Sequence, residues 1–202
     1  MEKESKKIAK ETLHAIEAML LMVEIRDSYT AKHQRQVSRL ARTIAEEMAL
    51  SEDRIESIEM AASVHDLGKI YVPAEILSKP SRLTKTELDL IKVHPQIGYN
   101  VLKIVDFPWP IAQIVYQHHE RMDGSGYPLG LSGKDMLLES RIIAVADVVE
   151  AMLSHRPYRP ALGMNMAREE FARNNGLLYD QKVVNICLDL LCERQEALIF
   201  GV

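Results

Sequence analysis

Cysteine is scarce in this chain: 202 residues contain two, Cys187 and Cys192, five apart on a segment with helical periodicity. That spacing is unsuited to a disulfide, and the count fits a reduced, cytoplasmic compartment. An excess of positive charge is also missing. Lys and Arg number 25 against 29 Asp and Glu, a net charge of -4. No global basic field is present to attract polymeric nucleic acid, so a phosphate ligand has to be held by local cations or metals. No apolar run approaches the roughly 18 residues of a membrane span. The charged start Met1-Glu2-Lys3-Glu4-Ser5-Lys6-Lys7 is no signal peptide. Membrane insertion is therefore not expected. Internal repeats and sustained alternating patterns that would demand a sheet are absent as well.

What is present is helical periodicity. Apolar residues make up 47% and charged residues 27%, ordinary for one globular domain with a full core. Val37, Leu40, Ala41, Ile44, Ala45 and Met48 recur at threes and fours along one face. Ser51, followed by Glu52 and Asp53, is an N-cap signal for a helix to about Leu67, with Gly68 as its stop. Thr84-Lys85-Thr86-Glu87 is a capping box, and Pro95 and Pro110 suit first-turn positions of two more helices. Leu138–Leu153 is dense in Ile, Val and Ala and predicts a buried central helix. Two more helices are predicted over Met164–Arg173 and Asp180–Gln195, with long loops at 69–83 and 121–137. Residues 1–27 predict a separate amphipathic helix, either core-packing or a connector or dimer stalk. The fold class is all-α.

The chemistry lies in histidine and aspartate. A lone helical histidine is usually structural or exposed, and His14 and His155 are assigned so. His33, His65, His94, His118 and His119 differ in context. His65 and Asp66 are adjacent at a helix end, His94 precedes Pro95, and His118 and His119 close another helix. Asp147 interrupts the aliphatic run Ile142-Ile143-Ala144-Val145-Ala146, where a carboxylate is costly unless a cation or a hydrogen-bonded network neutralises it. Imidazoles and carboxylates without cysteine suit iron, manganese or zinc better than magnesium or calcium. Seven ligands exceed what one ion with an open position takes, and match two ions sharing a carboxylate.

At these residues the chain resembles the HD-GYP family, a subgroup of the HD superfamily of metal-dependent phosphohydrolases. The resemblance runs from about Arg26 to Val184. It is carried by Arg26-Asp27-Ser28-Tyr29-Thr30-Ala31-Lys32-His33, His65-Asp66-Leu67-Gly68-Lys69, Leu83-Thr84-Lys85-Thr86-Glu87 and His94-Pro95-Gln96-Ile97-Gly98. It continues through His118-His119-Glu120-Arg121-Met122-Asp123-Gly124-Ser125-Gly126-Tyr127-Pro128, Ala146-Asp147 and Arg156-Pro157-Tyr158-Arg159. It implies an HD-superfamily helical bundle over 28–202 behind an N-terminal extension. It also implies hydrolysis of cyclic di-GMP to pGpG and in many members GMP, by a hydroxide activated between two divalent ions, iron or manganese with zinc as a further option. One ion would take His33, His65, Asp66 and Asp147; the other Asp66, His94, His118 and His119, with Asp66 bridging. Lys69 would contact the scissile phosphate, and Arg156 and Arg159 the second phosphate or a guanine edge. In the loop grouped with Asp123, Gly124 and Gly126 permit close backbone approach, Tyr127 offers a ring to a base and Pro128 stiffens the exit. Alternatives are the same chemistry on another cyclic dinucleotide such as 3′,3′-cGAMP, or a non-catalytic nucleotide-binding signalling module. A homodimer through the N-terminal helix and a sensory or receiver partner are also expected.

Four positions depart from the pattern. Tyr29 stands where some members carry a glutamate for a third metal, so two ions are predicted. Val148-Val149-Glu150-Ala151 replaces an aromatic followed by aspartate. His155 takes a common aspartate position, and Gly176-Leu177-Leu178-Tyr179-Asp180-Gln181 carries two substitutions. None removes a predicted ligand.

Overall fold

The computed structural model describes residues 28–154 and 160–193. The predicted helix over 1–27, and His155, Arg156 and Arg159, lie outside them. The described residues are helical with irregular connections and contain no strand, only two isolated bridges, Asp123–Ser132 and Asn175–Tyr179. The all-α expectation holds. Among the described residues no helix is long and apolar enough to cross a membrane.

Helix α1 spans Ser28–Glu47, α2 Glu52–Val64, α3 Ala74–Leu77, α4 Lys85–Ile91 and α5 His94–Leu102. Then come α6, Ile111–Gln117; α7, Leu138–Leu153; α8, Met164–Asn174; and α9, Gln181–Glu193. The stripe Val37, Leu40, Ala41, Ile44 and Ala45 on α1 is fully buried, facing α2 and α7. Helix α7 is the central element, packed by α1, α2, α6, α8 and α9, with Ile142, Ile143, Val145, Ala146 and Val149 fully buried. At roughly 1.5–3 kcal/mol for each large aliphatic side chain removed from water, this helix is the main apolar anchor of the site it carries. The capping box forms as read: Thr84 Oγ1 accepts the Glu87 amide at 3.3 Å, and Glu87 Oε2 accepts the Thr84 amide at 2.7 Å.

Several boundaries differ from expectation, and the differences build the site. Helix α2 stops at Val64 instead of about Leu67, because His65 and Asp66 leave it and the chain tightens into a 3-10 turn over Leu67–Tyr71. Ser51 sits at the N-cap with extended backbone, but its hydroxyl makes no capping bond. Gly68 is not a helix stop. It lies inside the 3-10 turn where α5 crosses, and a Cβ there would stand 2.0 Å from the His94 carbonyl oxygen and 2.7 Å from the Gly98 nitrogen. Only a bare α-carbon lets α5 come so close. The segment 69–83, expected as loop, holds the rest of that turn and α3. Pro110 takes the N-cap of α6, one residue ahead of the first turn.

Candidate metal centre and its loop

Five elements deliver the predicted ligands to one place. His33 comes from α1, His65 caps the C-terminus of α2 and Asp66 precedes the 3-10 turn. His94 opens α5, His118 caps α6 with His119 next in the chain, and Asp147 lies on α7. Two groups have donor atoms all within 4.8 Å of one another: His33, His65 and Asp66, and His94, His118 and His119. Asp66 stands between them. Its Oδ2 faces His33 Nε2 at 3.7 Å and His65 Nε2 at 3.5 Å, and its Oδ1 faces His94 Nε2 at 3.4 Å. Asp147 lies beside both groups, with Oδ1 3.1 Å from His33 Nε2 and Oδ2 4.0 Å from His119 Nδ1.

The outer nitrogens explain why these imidazoles suit a cation. His65 Nδ1 donates to the Ala62 carbonyl at 2.7 Å, His94 Nδ1 to Ile91 at 2.8 Å, and His118 Nδ1 to Val115 at 2.6 Å. Each bond uses the carbonyl three residues earlier and fixes the neutral tautomer with its lone pair on Nε2. His65 Nε2 is then buried without a hydrogen-bond partner, which costs about 1–3 kcal/mol if left so. His94 Nε2 and His118 Nε2 face each other at 3.2 Å, two lone pairs that repel unless a cation lies against them. The donor set therefore fits divalent metal ions.

The loop after the histidine pair folds back on it. Glu120, fully buried, accepts the Leu129 amide at 2.6 Å and the Leu131 amide at 3.0 Å. A Cβ on Gly126 would lie 2.4 Å from the Arg121 nitrogen, so that position needs glycine. Tyr127 donates its amide to the His119 carbonyl at 3.2 Å, and its ring stacks on His119 with centroids 4.8 Å apart and planes at 29°. Asp123 Oδ1 accepts the Ser125 amide at 2.9 Å, Gly124 has φ +79°, and Pro128 is exposed. Lys69 Nζ lies 2.5 Å from Asp66 Oδ2.

A protein-family model described as HD domain matches residues 17–183. The chain belongs to the HD domain family. It is 44% identical over 168 residues to the cyclic di-GMP phosphodiesterase response regulator RpfG of Xanthomonas campestris, covering 82% of this chain and 44% of that protein. It is 40% identical over 177 residues to a cyclic di-GMP phosphodiesterase of Thermotoga maritima, covering 87% of this chain and 48% of that protein. It is 37% identical over 150 residues to the 3′3′-cGAMP-specific phosphodiesterase 1 of Vibrio cholerae, covering 73% and 35%. The chain thus spans less than half the length of these curated relatives. The fold is shared with an HDG"Y"P protein from Bdellovibrio bacteriovorus, at TM-score 0.68 and 21% identity over 82% of this chain and 53% of that one. It is shared too with the HD domain of the Listeria monocytogenes phosphodiesterase PgpH in complex with cyclic-di-AMP, at TM-score 0.63 and 20% identity over 86% and 94%. The HD-GYP resemblance read from the motifs agrees with these findings.

Two buried acids of this HD domain escaped the sequence reading. Glu150, one turn beyond Asp147 on α7, pairs through Oε2 with His33 Nδ1 and accepts the Ser154 hydroxyl at 2.5 Å. It aims His33 from behind. The signal was available, since Glu150 interrupts aliphatics as Asp147 does. Glu120 gave no such signal, because its partners are backbone amides of a loop nine and eleven residues away.

The charges of the HD centre divide the histidines. Burial, reinforced by neighbouring cationic groups, pushes His94 down to about 4, and burial with adjacent imidazoles pushes His118 and His119 well below the ordinary range. Burial also opposes the proton on His33, but hydrogen bonds to Asp147 and Glu150 outweigh it and raise His33 to about 9. Burial would raise Asp66, yet Lys69, His65, His94 and His33 hold it well below the carboxylate range. Linkage then gives the pH response of chelator-stripped protein. The raised His33 contributes stability that is present below its unfolded value of about 6.5 and lost as pH rises through about 9. The depressed His94 contributes stability present above about 6.5 and lost as pH falls toward about 4. Stability should peak near pH 6.5. Because the His33 proton must leave for a metal, affinity at the His33 group should tighten up to about tenfold per pH unit between 7 and 9. Imidazole nitrogen NMR of the stripped protein checks this, and a neutral His33 at pH 7 would refute it.

Proposed function

We propose that this chain is the hydrolytic domain of a metal-dependent cyclic-dinucleotide phosphodiesterase acting on cyclic di-GMP, with linear pGpG as the product and GMP where cleavage continues. The observation carrying it is Asp66, whose two oxygens face two separate histidine groups. His33, His65 and Asp147 with Asp66 would hold one ion, and His94, His118 and His119 with Asp66 the other. Two such ions, iron or manganese before zinc, supply Lewis-acid polarisation of the phosphodiester and acidify a water toward neutral pH. The protein's own part is positional. Asp66 spaces the two groups, and Glu150 keeps His33 turned inward. Lys69, partly exposed beside Asp66, presents an ammonium to the scissile phosphate and offsets charge growing on it. The loop of Asp123, Gly124, Gly126, Tyr127 and Pro128, together with Arg156 and Arg159, forms the substrate walls in this reading.

The 3′3′-cGAMP-specific relative supports a second reading, in which the same centre takes that substrate. Cytoplasmic placement belongs to the proposal and is consistent with Cys187 and Cys192 as free thiols. So do a dimer through residues 1–27 and a receiver or sensory partner, the latter suggested by the relative RpfG, a response regulator. The test is incubation of metal-loaded protein with cyclic di-GMP, 3′3′-cGAMP and cyclic di-AMP, with products resolved by chromatography. Linear pGpG from cyclic di-GMP as the fastest reaction is the expected result. Faster 3′3′-cGAMP cleavage would favour the second reading. Two bound metals with no turnover of any of the three would point to a receptor.

A further inference from the structure

Four of the five ligand imidazoles are held from behind by a hydrogen bond: His65, His94 and His118 to backbone carbonyls, and His33 to Glu150. His119 is the exception. Among the described residues its ring nitrogens make no hydrogen bond, and the carboxylate that faces it, Asp147, is 4.0 Å away. It is also 17% exposed, whereas His94 is 1% exposed and His118 fully buried. A ligand free to rotate about its side-chain bonds must be ordered at the moment of metal binding, which weakens the site. What does hold the His119 ring is aromatic. Tyr127 stacks on it at 4.8 Å and 29°, while His118 and His94 lie 4.1 and 4.9 Å away at 40° and 86°. The tyrosine is itself fixed: its amide is bonded to the His119 carbonyl, Glu120 and Gly126 pin the loop around it, and the Lys92 ammonium lies 5.3 Å from its ring centroid.

We propose that Tyr127 is a positioning residue for the His119 imidazole, so that the loop taken as a substrate wall also sets the affinity of the ion at the His94–His118–His119 group. This rests on the metal-centre reading above. It assigns the ring a task that needs no substrate, and the hydroxyl no part in it.

The experiment is Mn²⁺ titration of the whole chain after chelator stripping, followed by calorimetry and by electron paramagnetic resonance. Tyr127→Leu keeps apolar bulk and removes the ring; Tyr127→Phe keeps the ring and removes the hydroxyl. Wild type should bind two Mn²⁺ with a spin-coupled signal. Tyr127→Leu should weaken one of the two by about 10- to 100-fold, the range for losing a group that orients a metal ligand, and show an uncoupled six-line signal at one equivalent. The other ion, at the His33 group, should stay within about threefold and so reports an intact fold. Tyr127→Phe should behave as wild type. Two ions held by Tyr127→Leu at wild-type affinity would overturn the proposal, as would equal weakening in the phenylalanine variant or loss of both ions in the leucine variant. A wild type that binds no Mn²⁺, Fe²⁺ or Zn²⁺ would instead reject the underlying metal centre.

Discussion

Asp66→Ala is expected to lower metal content from two ions to at most one weakly held ion, and to reduce cyclic di-GMP hydrolysis by at least about a thousandfold. Of the two predicted carboxylate ligands, Asp66 alone faces both histidine groups at under 3.8 Å. Removing it takes away a charge shared by both ion positions and the spacer that keeps them paired. A thousandfold loss corresponds to about 4 kcal/mol of transition-state stabilisation, within what paired cations contribute. The comparator is Asp66→Asn, which keeps the shape and one acceptor oxygen but not the charge. It should lose the second ion and most activity while staying closer to wild type in melting temperature. Elemental analysis, circular dichroism and product assay together decide the matter. Two tightly held ions in the alanine variant, or near-normal turnover, would refute the bridging assignment.

Gly68→Ala is expected to be among the most disruptive single-methyl changes in the described residues. The added carbon would meet the His94 carbonyl oxygen at 2.0 Å, the Gly98 nitrogen at 2.7 Å and the His94 carbonyl carbon at 2.9 Å. All three are backbone atoms, so no rotamer change relieves the overlap, and α5 has to retreat by about an ångström. Overpacking of this kind costs about 1–3 kcal/mol, or more where nothing can give. A loss near 3 kcal/mol lowers the melting temperature by about 6–12 °C for a domain of this size. The same retreat carries His94 away from Asp66, so the second ion should weaken too. Gly98→Ala, whose added carbon meets the Val115 side chain at 3.2 Å and the Gly68 nitrogen at an ordinary contact distance of 3.6 Å, should be much milder. Equal melting temperatures for Gly68→Ala and wild type would show that the crossing is looser than described.

How far the site was legible follows from where its signals lie. His65-Asp66 and His118-His119 were visible because doublets at helix ends are local patterns, and Asp147 because a carboxylate among aliphatics needs a reason. Glu150 carries that same signal, yet it registered only as a departure from the family pattern. Gly68 was misread for a different reason. A glycine after a helix is locally a stop signal, whereas its actual constraint comes from α5, some 26 residues on in the chain. Tyr127 had the same ambiguity: a loop ring near ligands suggests a substrate surface, and only the packed structure shows it against His119. The helices were read well where periodicity was long, as in α1 and α7, and less well where short turns such as α3 are set by tertiary contact.

The carbonyls that hold His65, His94 and His118 have a consequence for the order in which the centre assembles. They belong to the closing turns of α2, α4 and α6, and the C-terminal end of a helix carries about half a unit of negative charge. Three such ends converge where Asp66 and Asp147 already lie. The backbone therefore favours cations there regardless of which single side chain is changed, and it repels a nucleotide phosphate until that charge is balanced. Metal should enter first and the anionic substrate second, an ordered sequence imposed by helix direction.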